Sequence, residues 1–202
     1  MINNAQEHIN QLTNKAKIRY LDISNRDLSG DADLKEFTAL TSLNSYNNKF
    51  ENLEFLNTLP NKDQLKKINF FGNQINELDL AEILTNFPNL EYLNCENNPL
   101  SAKNLENLTS EQFGKLVKGI KDKKIKINSF KGTILMDLLE YAQKLVAKGD
   151  NNQIQNTQYL QTLIQKGSSL VKPDNKQPHN NTPLLIGGLA VFGISVLAIG
   201  YW

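Results

Sequence analysis

Cysteine is almost missing from this chain: Cys95 is the only one among 202 residues. A single thiol cannot close an internal disulfide and cannot supply the paired thiolates of a structural zinc site. Histidine is confined to His8 and His179, and arginine to Arg19 and Arg26. No CxxC, HExxH or GxxxxGK[ST] pattern occurs, so metalloprotease and phosphate-loop chemistry have no sequence support. An excess of one charge is missing too, with Lys+Arg 22 against Asp+Glu 21. That balance gives no bulk attraction to nucleic acid. No cofactor or metal is expected, and no enzyme activity, because no nucleophile, base and orienter converge. The opening MINNAQEHINQL has no apolar core, so no secretory signal is expected there.

Long apolar runs are absent until Pro183. From there PLLIGGLAVFGISVLAIGYW carries no charge over 20 residues. As a helix it would span about 30 Å, the thickness of a bilayer's hydrocarbon core. Tyr201 and Trp202 suit the far interface. Residues 183–202 are therefore expected to be a C-terminal transmembrane helix. Lys166, Lys172 and Lys176 precede it and nothing charged follows, which places the preceding domain on the cytoplasmic side. The mean hydropathy of -0.44 fits a polar domain on one anchor.

What the chain does have is an internal period. IRYLDISNRDL, LTSLNSYNNKF, LKKINFFGNQI and LEYLNCENNPL, starting at residues 18, 40, 65 and 90, share the pattern LxxLxLxxNxL. The fourth and sixth positions alternate as in a strand with one buried face. They are Leu21 and Ile23, Leu43 and Ser45, Ile68 and Phe70, Leu93 and Cys95. Cys95 is thereby assigned to the interior, where a free thiol behaves as a small hydrophobe. Asn48, Asn73 and Asn98 recur at the ninth position, where an amide satisfies backbone groups at the exit from a strand. The first segment departs, with Arg26 there and Asn25 one place earlier.

These four segments resemble the leucine-rich repeat family, in the short microbial form that opens with a capping helix before LDISN. The resemblance implies an α/β solenoid with short parallel strands on its concave face, helices or turns on its convex face, and a protein ligand bound on the strand side. The plan is then an N-terminal cap helix over 1–17, repeats over 18–108, and a helical C-terminal cap with one degenerate strand over 109–149. A polar stalk follows over 150–182, and then the anchor. Within this plan a helix is expected from Asn4 to Lys15, with Ile9 and Leu12 inward. Another is expected where Leu78, Leu80, Ile83, Leu84 and Phe87 share a face. Thr109 and Gln112 form a capping-box pattern ahead of a third. KIKIN, from Lys124, alternates as a last strand, and a closing helix ends at Gly149.

The odd positions of each segment point out of the sheet. The third-position column is Tyr20, Ser42, Lys67 and Tyr92. The fifth is Asp22, Asn44, Asn69 and Asn94, and the seventh is Ser24, Tyr46, Phe71 and Glu96. Exposed rings among amides suit protein recognition. The candidate partner-binding residues are therefore Tyr20, Asp22, Asn44, Tyr46, Lys67, Asn69, Phe71, Tyr92, Asn94 and Glu96, with Tyr46 and Phe71 foremost. The fifth-position column also reads as polar repeat filler. The expected function is non-catalytic capture of a protein partner at a membrane. The alternative is a membrane-tethered spacer that self-associates weakly through apolar residues of the stalk, Ile154, Leu160, Leu163 and Ile164.

Overall fold

The computed structural model describes residues 3–127 and 133–170. They form an α/β fold with two parallel sheets and helices around one buried apolar cluster. Helix α1 spans Ala5–Asn10. The Asn4 side chain accepts from the Glu7 N–H, and Ala5 and Ile9 are fully buried. The backbone of Ala5 and Asn3 pairs with Ser29, so the N-terminus runs beside the first repeat segment. The helix is shorter than its sequence suggested. It stops at Asn10, and Asn14 takes a left-handed conformation at φ 53° before a single 3₁₀ turn, Lys15–Lys17.

Strands β1 (Tyr20–Asp22), β2 (Ser42–Asn44) and β3 (Lys67–Asn69) follow. After β3 come β4 (Glu77–Asp79), helix α2 (Leu80–Asn86), β5 (Tyr92–Asn94) and β6 (Ser101–Lys103). The larger sheet is completed by β7 (Ile125–Lys126) in the order β1-β2-β3-β5-β7, all parallel. Its register is aligned throughout: Leu21, Leu43, Ile68, Leu93 and Ile125 stand side by side. The fourth and sixth positions of all four segments are buried, as are Leu28, Phe50, Ile75 and Leu100 at the eleventh. Phe50 stacks on Phe55 at 5.1 Å between ring centroids and meets Phe70 edge-on at 5.6 Å.

Each ninth-position asparagine ties its segment to the one before. Asn73 Oδ1 accepts from the Phe50 N–H at 3.0 Å, and its Nδ2 donates to the carbonyls of Ser45 at 2.9 Å and Phe70 at 3.1 Å. Asn98 repeats this one segment later, accepting from the Ile75 N–H and donating to the Phe70 and Cys95 carbonyls. Asn48 accepts from the N–H groups of Arg26 and Leu28 and donates to the Ile23 carbonyl. Three buried amides thus satisfy backbone groups that would otherwise lose their water.

Of the return segments, only the third reads as helical in the sequence, and it differs at its start. The one before β3 uses 3₁₀ turns, Glu54–Thr58 and Lys62–Gln64. In the next, Leu78 belongs to β4, which pairs with β6 in a second, two-stranded sheet. Helix α2 begins only after Asp79, whose carboxylate accepts from the Glu82 N–H and caps it. The alternation Glu77-Leu78-Asp79 places one apolar side chain inward, a pattern that a helical face count absorbs without notice.

Helix α3 (Ser110–Lys121) opens on a complete capping box between Thr109 and Gln112 and buries Phe113, Leu116, Val117 and Ile120. Gly119 lets β7 approach: a Cβ there would sit 2.6 Å from Ile125 Cδ1. Helix α4 (Thr133–Ala147) is followed by Gly149 at φ 95°. Helix α5 (Ile154–Leu170) then packs along α4. The first part of the expected stalk over 150–182, which the sequence allows as a weak helix or a self-associating segment, is thus a helix packed on the fold. Leu160 is fully buried, and Tyr159, Leu163 and Ile164 lie against the same core. Gln153, also buried, donates to the Ser110 carbonyl and hydroxyl and to Asp150, tying the α4–α5 junction to the start of α3. The rest of the stalk and the apolar run 183–202 lie outside the described residues. Among the described residues no helix is long and apolar enough to cross a membrane.

Candidate binding face

The outward side of the five-stranded sheet carries three columns of side chains, and their environments differ. Tyr20, Asp22 and Lys67 are exposed, with Tyr20 the most open large hydrophobic side chain among the described residues at 57%. Ser42, Asn44, Asn69 and Tyr92 are half-buried, as are Ser24, Tyr46, Phe71 and Glu96 in the seventh-position column. Asn94 is buried, at 9% exposure. Its place among partner-contacting residues is therefore withdrawn: β3 and β7 flank it, and its amide oxygen is occupied by the Glu96 N–H at 3.1 Å.

The fifth-position column does structural work of its own. Asp22 Oδ1 accepts from the Ser24 N–H at 3.0 Å and from the Ser24 hydroxyl at 2.6 Å. Asn69 makes the corresponding contact to the Phe71 N–H at 3.2 Å. Each is a side chain that folds the backbone two residues ahead, the usual way an Asx residue ends a strand. Along the column, Asn69 Nδ2 donates to Asn44 Oδ1 at 2.9 Å. The Ser24 hydroxyl is the main reason the Asp22 carboxyl stays below its ordinary range. Burial raises the Tyr20 phenol, and its hydrogen bond to Asp22 at 3.0 Å adds to this.

The eighth position also carries a pattern visible in the sequence. In the four segments it is Asn25, Asn47, Gly72 and Asn97, and all four have positive φ, from 53° to 68°. Asparagine and glycine adopt this conformation at least cost. The side chains then run along the sheet's rim: Asn47 Nδ2 donates to Asn25 Oδ1 at 3.1 Å, and Asn25 Nδ2 donates to the Tyr46 hydroxyl. Gly72 is needed for a second reason, because a Cβ there would lie 2.5 Å from Asn47 Oδ1. Tyr46 is thus held from the side, while the Phe71 backbone carbonyl accepts from the Asn47 N–H at 2.8 Å.

At the β7 end the face changes character. Lys126 stands beside Asn94 in the register and places Nζ 5.7 Å from the centre of the Tyr92 ring. Cys95 lies on the opposite side of the sheet, wholly buried, and burial pushes its thiol up to about 12. A thiol so protonated is a poor nucleophile. Its amide donates to the Lys126 carbonyl, so its role in the structure is that of an interior strand residue. His8 sits on α1, and burial is the main cause of its lowered pKa. Among the described residues no group of three or more His, Cys, Asp or Glu side chains could hold a metal ion. No protein-family model, curated protein or solved structure matches the chain.

Proposed function

We propose that residues 18–127 form a short leucine-rich repeat solenoid that binds a protein partner on the outward sheet face and catalyses no reaction. The observation that carries this reading is the register. Segments 22, 25 and 25 residues apart place the same pattern position side by side in one parallel sheet, and each ninth-position asparagine reaches the segment before it. Such a stack presents repeated outward side chains in columns, which suits recognition of an extended protein surface. Tyr46 and Phe71 occupy adjacent places in one column and combine ring area with a rim of amides. Residues 183–202 would hold this domain at a membrane, on the cytoplasmic side.

The spacer alternative requires apolar side chains of α5 to be free for self-association. Ile154 is exposed, but Leu160 is fully buried and Leu163 and Ile164 pack on the core, which favours partner binding. The test uses the full chain in mild detergent, immobilised and exposed to the membrane and cytosolic proteins of its own cells. Replacing Tyr46 and Phe71 with alanine should leave the melting temperature nearly unchanged and remove the specifically retained polypeptide. Retention undiminished in the double variant would refute the assignment of this face. Deleting 183–202 should move the chain from the membrane to the soluble fraction.

A further inference from the structure

Lysines are distributed unevenly with respect to their partners. Lys15, Lys35, Lys49, Lys66, Lys103, Lys115, Lys118 and Lys144 each lie within 4.0 Å of a carboxylate. Nine lysines lack such an ion pair among the described residues: Lys17, Lys62, Lys148 and Lys166 are scattered along the chain, and the other five are Lys67, Lys121, Lys123, Lys124 and Lys126. These five gather at the β3–β5–β7 end of the sheet and the adjoining end of α3. Two of them rest against rings instead: Lys126 over Tyr92, and Lys121 over Tyr159 at 5.2 Å. The one acid within this run, Asp122, is already engaged by Lys118, and at this end of the face itself Lys67, Lys124 and Lys126 stand against the single carboxylate of Glu96. A chain of net charge +1 therefore carries a local surplus of positive charge on the very face proposed to bind protein.

We infer that the β3–β5–β7 end of this face takes an acidic, extended segment of the protein partner. The inference rests on the proposed protein-binding role and narrows its chemistry. Lys67, Tyr92 and, continuing the register, Lys124 form one row across three strands, with Asn94 and Lys126 in the next row. Neighbouring strands are about 4.8 Å apart, so the two lysines that bracket Tyr92 are separated by about 10 Å. A chain crossing the strands in extended form covers that distance in about three residues. In the polyproline II form, with three residues per turn and a rise of about 3.1 Å each, carboxylates at positions i and i+3 of the segment lie on one side and would meet Lys67 and Lys124, with the two residues between them passing over Tyr92. Lys126, held over the same ring, stands ready to follow either carboxylate. Lysine accepts such contacts as a point charge from several directions, so charge and spacing, not one bidentate geometry, define the ligand.

A fluorescein-labelled peptide containing two Glu-Ala-Ala-Glu units, titrated with the full chain in detergent and followed by anisotropy, is the direct probe. Binding should weaken steeply between 50 and 300 mM salt on the order expected for screened pairs. Lys67→Glu/Lys124→Glu/Lys126→Glu should weaken it at least about tenfold, the loss of on the order of 1.4 kcal/mol. Lys17→Glu/Lys62→Glu/Lys148→Glu, an equal charge change elsewhere, should weaken it less than about twofold. A circular-dichroism melt of each variant establishes that it is folded; all six positions lie on the surface or half-buried. Absence of peptide binding, or equal loss in both triple variants, overturns the inference. So does lysine-dependent binding to phosphatidylserine vesicles without peptide binding, which would assign the patch to a membrane surface. Partner retention that needs Tyr46 and Phe71 but ignores the sheet lysines would overturn this inference while leaving the protein-binding role standing.

Discussion

Between Ile18 and Leu100 every strand is placed by its counterpart in the next segment, whereas between Ser110 and Leu170 three helices bury stripes of their own. In the first region the inward residues come two per strand, and buried asparagines join consecutive segments through backbone groups. In the second, Phe113 meets Tyr141 edge-on at 5.3 Å, and Leu160 of α5 is fully buried against α4. A stack of three-residue strands has little local stability of its own. Its order comes from coupling between neighbours, so damage to one segment should spread. A packed helix can loosen alone.

Asn73→Ala attacks that coupling and should have the largest effect. It strands the Phe50 N–H inside the protein and takes one of two amide donors from each of the Ser45 and Phe70 carbonyls, which keep Asn48 and Asn98, at a cost of roughly 3 kcal/mol. Urea unfolding should read that loss, and amide exchange should accelerate in β2, β3 and β5 together. Leu160→Ala empties a fully buried apolar site in the helical region and should cost about 2–3 kcal/mol. There the accelerated exchange should stay within α4 and α5. If both variants loosened the whole body equally, the contrast between the two regions would disappear. Gly72→Ala strains a φ of +68° and displaces Asn47, for an expected loss of about 1–2 kcal/mol with the peptide-binding lysines undisturbed. Smallest is Thr109→Ala, which breaks the α3 capping box and should lower stability by about 1 kcal/mol.

The same contrast governs what the sequence disclosed. Inward positions such as Leu43, Ile68 and Phe70 were legible because a period of two repeats at 25-residue spacing, and one misplaced residue would turn a whole strand inside out. Ninth-position asparagines stood out for the same reason. Strand β7 was only partly legible: Ile125 stands 32 residues after Leu93 rather than 25, and α3 fills the difference. Its lysines therefore never joined the columns drawn from the four segments. Strand β4 was hidden because Leu78, Leu80 and Ile83 satisfy a helical face and a strand-then-helix equally well until Asp79 is recognised as a cap. For helix α5 the sequence, rich in glutamine and asparagine, allows either a weak helix or a self-associating stalk. What docks it is a few apolar side chains and the buried Gln153, whose amide reaches Ser110, 43 residues away in sequence. On the face itself, alternation fixed which side chains point outward. It could not distinguish Phe71, whose ring is free of hydrogen-bonding duties, from Asn94, which the neighbouring strands enclose.

The central claim concerns that face, and site-specific photo-crosslinking tests it most directly. A photoreactive phenylalanine analogue at Phe71, and separately at exposed Glu82 on α2, would be activated in intact cells expressing the full chain. The account predicts a discrete crosslinked polypeptide from position 71, lost when Tyr46 is also replaced by alanine, and none from position 82. Equal adducts from both positions, or none from position 71, would contradict it.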